Sequence, residues 1–133
     1  MLGVVLVAHG ELPQSFLSVA EQMLGKQQFV ECVSYNIGDD LETFRYKIAV
    51  GLKQVDRGSG VIILTDMFGG VPSNIGISVG YSQKAEVISG VNLSMLLKLL
   101  TIRENLDIQT ATAQTKEIGM KYICVLSELL LEG

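Results

Sequence analysis

His9 is the chain's only histidine. A neutral imidazole is a nucleophile at about pH 7, and its nitrogen can carry a phosphoryl group or hold a metal. A carboxylate that accepts the Nδ1 proton fixes the tautomer, leaves the Nε2 lone pair facing out, and supports the positive charge that builds on the ring during attack. Asp66 is placed to be that carboxylate. The apolar run Val4-Val5-Leu6-Val7-Ala8 leads into His9-Gly10, and the run Val61-Ile62-Ile63-Leu64-Thr65 leads into Asp66. Gly69 and Gly70 come next, followed by Val71-Pro72-Ser73-Asn74. Proline suits the first turn of a helix, where its missing N–H costs nothing. A glycine pair lets main-chain amides turn inward, and a helix start adds unpaired N–H groups and the positive end of its dipole. The candidate phosphate-binding set is therefore Gly10, Gly69, Gly70 and Ser73, grouped around His9 and Asp66. Phosphoryl transfer depends mostly on positioning and charge stabilisation, so such a site suffices without a metal or other cofactor.

Each of these features has a plain structural explanation. A strand-end histidine is commonly a satisfied structural residue, an aspartate there caps a turn or helix, and a glycine pair makes a tight turn. Ser73 and Asn92 read first as helix caps. What raises the odds is convergence, and convergence depends on how the elements are ordered.

Leu2 to Ala8 is a continuous, valine-rich apolar run, as in a strand covered on both faces. Helical spacing of Phe16, Val19, Ala20, Met23 and Leu24 predicts a helix from about Leu12 to Leu24, stopped by Gly25. Phe29 to Val33 reads as a second strand. Gly38-Asp39-Asp40 offers an N-cap for a helix whose buried face is Leu41, Phe44, Ile48, Leu52 and Val55. Val61 to Thr65 is a third strand, and the helix from Pro72 to about Tyr81 carries Gly76 and Gly80 one turn apart, which allows close approach to the sheet. Ala85 to Ser89 is a fourth strand, and Leu93 to Arg103 a helix apolar almost all round. The tail is ambiguous: Ile118, Tyr122, Val125 and Leu129 recur at helical spacing, while a final strand between Ile108 and Leu131 also fits.

Strict β–α alternation implies a three-layer α/β/α fold with an open parallel sheet. Ligands of such sheets sit beyond the carboxyl ends of the strands, where the strand order reverses. The order 2-1-3-4 puts His9 and Asp66 together at that point.

At 133 residues the chain is expected to form one domain, residues 1–133. Apolar residues make up 48% and charged residues 18%, which excludes a disordered chain. A net charge of -4 with no basic stripe argues against nucleic acid as a partner. Cys32 and Cys124 lie far apart in apolar segments without metal-ligand spacing, and read as buried free thiols of a reducing compartment. Met1-Leu2-Gly3 lacks a basic leader, and the run Leu93 to Ile102 is interrupted by Lys98 and too short to span a bilayer. The expected location is cytoplasmic.

Three stretches together resemble the mannose-type IIA component of the bacterial phosphoenolpyruvate-dependent sugar phosphotransferase system. They are Val7-Ala8-His9-Gly10, Thr65-Asp66-Met67-Phe68-Gly69-Gly70-Val71-Pro72-Ser73-Asn74, and Gly90-Val91-Asn92 with Met95-Leu96. The resemblance implies that His9 is the phosphorylated histidine and Asp66 its orienting aspartate. Nε2 would take a phosphoryl group from the phosphocarrier HPr and pass it to a IIB component, and the membrane would be reached only indirectly, through IIC and IID components. It also implies a homodimer in which a C-terminal antiparallel strand is exchanged between subunits. Two positions depart from the pattern. Val71 stands where many relatives carry Ser or Thr, so a hydroxyl donor to phosphate is missing there and Ser73 or main-chain amides must substitute. Ser94 stands where relatives often carry proline. No fused IIB module is expected, so the acceptor would be a separate protein. The alternatives are a regulatory module that reports its phosphorylation state, and the phosphotransfer subunit of a dihydroxyacetone kinase. A tetrapyrrole chelatase or a histidine phosphatase would need further histidines. The sugar is not encoded, because specificity in such systems lies in the membrane components.

Overall fold

The computed structural model describes residues 1–132. Strand β1 (Gly3–His9) lies between β2 (Val30–Tyr35) and β3 (Val61–Thr65), and β4 (Glu86–Ser89) completes the sheet. The order is β2-β1-β3-β4 and every pairing is parallel, as the alternation implies. Successive side chains of a strand point to opposite faces, so a strand covered on both sides feeds two cores. Val4 and Leu6 enter one core with Ile62, Leu64, Leu96 and Leu99. Val5 and Val7 enter the other with Ile63, Phe44, Ile48 and Val79. Fully burying one such side chain is worth about 1.5–3 kcal/mol, and a one-residue slip would exchange the two sets, so the hydrophobic layers fix the register.

Helices α1 (Leu12–Leu24) and α4 (Leu93–Ile102) cover one face, and α2 (Leu41–Val55) and α3 (Val71–Gln83) the other. Their starts are chemically marked. Asp40 caps α2 by accepting the Thr43 N–H at 2.9 Å, and Asn92 caps α4 by accepting the Met95 N–H at 3.0 Å. The close approach of α3 is real. A Cβ on Gly76 would lie 3.2 Å from Thr65 Cγ2, and one on Gly80 2.5 Å from Val87 Cγ2.

Some expectations change. β2 begins and ends later than the apolar run suggests, because Phe29 takes φ 58°, outside the strand region, while Tyr35 pairs with His9 and is buried. The ambiguous tail is helical: α5 (Ile108–Lys121), capped by Asp107, packs on α4, and α6 (Leu126–Glu132) follows. The described residues contain no fifth strand. Cys124 is exposed between the two tail helices rather than buried, because nothing among the described residues covers that connection. Cys32 is half-buried, and burial first, with Glu31 and Glu21 nearby, pushes its thiol up to about 11, well above a reactive range.

Arg103 ends α4 with its side chain buried at the edge of the sheet opposite His9. Its guanidinium donates to the carbonyls of Leu2 and Phe29 at 3.3 Å and Gln28 at 2.6 Å, and to Gln27 Oε1 at 3.1 Å. Desolvation lowers its pKa, yet an arginine stays charged, so these oxygens stand in for water. The fork ties the turn before β2 to the start of β1. Arg103→Ala is expected to cost at least about 2 kcal/mol, because it orphans those carbonyls as well as opening a void. Urea denaturation would read this as a lower midpoint, and Arg103→Lys should recover only part of it, since an ammonium cannot span the fork.

Candidate functional site

β1 outruns β3 by two residues: Val7 pairs with Thr65, so His9 overhangs the end of β3 where Asp66 begins the turn. The carboxylate fills the gap. Asp66 Oδ2 accepts the His9 main-chain N–H at 3.0 Å and lies 2.7 Å from His9 Nδ1, while Oδ1 accepts the Met67 N–H at 2.9 Å. The Asp66 side chain is 13% exposed and that of His9 35%. Nδ1 is thereby assigned the proton, and Nε2 has no hydrogen-bond partner among the described residues. Two further contacts hold the ring. Tyr35 meets it edge-on, with centroids 5.9 Å apart and planes at 78°, and itself packs on Phe44. Gly70 backs the ring so closely that a Cβ there would lie 3.4 Å from His9 Cε1.

The predicted anion set falls around this pair but does not act uniformly. Gly10 takes φ +54° and its N–H donates to the Tyr35 carbonyl at 2.9 Å, so it shapes the corner while its amide is occupied. Gly69 takes φ +91°, a conformation that suits glycine, and its carbonyl accepts from Asn74 Nδ2 at 3.3 Å. Gly70 is the N-cap of α3 and supplies no side-chain cap. The first-turn amides of Val71 and Ser73 are therefore left for a ligand, Pro72 having none. The Ser73 hydroxyl is turned away: it is fully buried and lies 2.7 Å from Ser89 Oγ. It is therefore not available at the corner to stand in for the hydroxyl that Val71 lacks.

Tyr35, Thr65 and Ser89 are the site neighbours that pattern reading passes over. The available signal was that Thr65 and Ser89 are the polar ends of apolar strands. Around the rim, Leu12, Ile37, Met67 and Phe68 are exposed, Ile37 at 93% and Phe68 at 77%. A shallow groove of about 650 Å³, lined by Gly10, Glu11, Gln14, Ser34 and Asn36, opens beside the corner.

Residues 3–116 match the family EIIA-man, the PTS system fructose IIA component. The chain belongs to this family. It is 28% identical over 131 residues to the fructose-specific EIIA component of Bacillus subtilis, covering 98% of this chain and 90% of that protein. It is 32% identical over 105 residues to the mannose-specific EIIAB component of Escherichia coli, covering 78% of this chain and 32% of that longer protein. Its fold matches the crystal structure of phosphotransferase system component EIIA from Streptococcus agalactiae with a TM-score of 0.87 and 24% identity, covering 96% of this chain and 99% of that one.

In this EIIA domain the electrostatics of the corner follow from its geometry. Burial alone would raise the Asp66 carboxyl. The hydrogen bonds from the His9 main chain and ring and from the Met67 amide, with the charge of the imidazole, outweigh it and hold the carboxyl below its ordinary 3.8. A carboxyl depressed on folding stabilises the fold above its unfolded pKa and loses that contribution as pH falls through the folded value. The stability difference between the native chain and Asp66→Asn should thus shrink as pH falls below about pH 4, as read by denaturation midpoints through that range.

Proposed function

We propose that His9 is the residue that carries the phosphoryl group, and that Nε2 is the atom. As a family member the chain is a phosphocarrier of the phosphotransferase system, taking phosphate from HPr and passing it to a IIB component; the kinase-subunit and purely regulatory readings are not favoured. The observation that carries the residue-level reading is the 2.7 Å contact between His9 Nδ1 and Asp66 Oδ2, made by a ring whose other nitrogen is unengaged.

The chemistry is economical. The ring already holds its proton at Nδ1, so Nε2 attacks with a lone pair and no proton has to move. The Nε2–P bond forms as the bond from phosphorus to the donor breaks, and the second transfer runs the same exchange toward the acceptor. Asp66 balances the charge that the ring gains. The amides of Gly70, Val71 and Ser73 and the α3 dipole face the phosphoryl oxygens, and Gly10 leaves room for them. The exposed apolar rim of Leu12, Ile37, Met67 and Phe68 supports a protein donor and acceptor, since such a collar suits a docking face better than a small solute. Among the described residues no helix is long and apolar enough to cross a membrane, which is compatible with a cytoplasmic domain serving IIC and IID components indirectly.

A homodimer belongs to the same proposal. Tyr122, Ile123, Val125, Leu126, Leu130 and Leu131 are all exposed, and among the described residues the outer edge of β4 has no partner strand. A second copy that lent its segment around Tyr122–Val125 to that edge would cover both.

Incubation with phosphoenolpyruvate, Enzyme I and HPr should label one acid-labile, base-stable site. His9→Ala should take up no label, and label retained by that variant would reassign the site. Asp66→Ala should fold, by circular dichroism, and transfer at least about tenfold more slowly. Native mass spectrometry should find a dimer that becomes monomeric when the chain is cut after Lys121; a monomeric full-length chain would remove the exchanged tail.

A further inference from the structure

We infer that Ser89 is a positioning residue for the His9–Asp66 pair, a role that rests on the phosphocarrier reading above. Ser89 is the last residue of β4. Its Oγ accepts the Thr65 hydroxyl at 2.8 Å and lies 2.7 Å from the Ser73 hydroxyl. Thr65 and Ser73 are both fully buried, so these bonds are the means by which their hydroxyls are satisfied.

The three residues belong to the three elements that build the site. Thr65 immediately precedes Asp66. Ser73 lies in the first turn of α3, three residues after the Gly70 that backs the imidazole. Ser89 immediately precedes Gly90, whose N–H, with that of Val91, donates to the Thr65 carbonyl at 3.1 and 2.9 Å. A single oxygen therefore ties the strand that aims the carboxylate to the helix that walls the ring.

Its place in the sheet supports the assignment. One and two layers deeper, β3 and β4 pair Leu64 with Ile88 and Ile63 with Val87, which pack without directional bonds. The last layer, Thr65 with Ser89, is the one pair of this ladder in which both partners are polar. Burying Thr65 and Ser73 costs energy that valine or alanine would avoid, and directional bonds to the half-buried Ser89 are what that cost secures. The Nδ1···Oδ2 contact depends on such precision, because functional geometry must hold to within roughly 0.5 Å.

The test uses the unphosphorylated full chain with ¹⁵N-labelled histidine. In the native protein, imidazole spectra should show one tautomer with a slowly exchanging Nδ1–H. Ser89→Ala should give a mixture of tautomers and exchange at least about tenfold faster, with Ser89→Thr restoring the native spectrum. Initial labelling by phospho-HPr should fall about tenfold in maximal rate, with the HPr concentration at half-maximum unchanged. A native imidazole spectrum in Ser89→Ala, with only a lowered denaturation midpoint, would reduce Ser89 to packing and overturn the inference. If Ser89→Ala fails to fold, Thr65→Val, which keeps the shape and deletes one of the two bonds, decides by the same spectrum. Because the spectrum needs no phosphoryl donor, failure of the phosphocarrier reading would appear in the labelling arm and failure of the positioning role in the spectral arm.

Discussion

The site depends on a strand pairing that a side chain completes. The ladder between β1 and β3 runs through Val7 and Thr65, and then β3 turns away while β1 continues to His9. Asp66 Oδ2 takes over as acceptor for the His9 main-chain N–H, and the same oxygen accepts from Nδ1. One atom thus fixes the backbone and the ring of His9 together. With Oδ1 held by the Met67 N–H, the carboxylate is spent on three donors and has no rotamer freedom left to misdirect the imidazole. An orienting group on a flexible stem would have to lose that freedom at each turnover.

The rest of the domain makes this arrangement rigid. Two apolar cores grip β1 and β3 from opposite faces, and the alternation of their side chains forbids slippage of either strand. The far end of the sheet is pinned differently, by the Arg103 fork on the carbonyls of Leu2, Gln28 and Phe29. The near end is pinned by the hydroxyls of Thr65, Ser73 and Ser89. Apolar layers in the middle with polar fastenings at both ends suit a sheet whose function sits at one edge. Packing sets the register, and directional bonds set the last fraction of an ångström.

How much of this the sequence discloses follows from which interactions are local. The strands, their order and the meeting of His9 with Asp66 were legible because buried parallel strands are apolar runs and β–α alternation leaves few topologies. The α2 and α4 caps were legible because Asp40 and Asn92 act on amides three residues away. The start of β2 was not, since the positive φ of Phe29 reflects contacts of its carbonyl with Val4 and Arg103, both distant in sequence. The burial of Arg103 and the diversion of the Ser73 hydroxyl to Ser89 were hidden for the same reason. The tail was open in another way: a strand between Ile108 and Leu131 also fitted its pattern, but Asp107 accepts the Thr110 N–H and caps α5, whose Ala111, Thr115 and Gly119 face inward.

Val71 bears on how tightly a phosphoryl group would be held. With the neighbouring serine hydroxyl turned inward, the groups facing the phosphate in the proposed reaction are neutral amides and a helix terminus, the latter worth about 0.3–1 kcal/mol for an exposed charge. A bidentate arginine would bind it more firmly. Firm binding, however, stabilises the loaded protein as much as the transition state and slows release to the next partner. A carrier must receive and surrender the same group, so it gains from donors that steer the oxygens without trapping them. The strongest polarising group at the corner is instead Asp66, which acts on the imidazole and not on the phosphate. In the proposed transfers its effect would be felt where charge changes, at the ring itself.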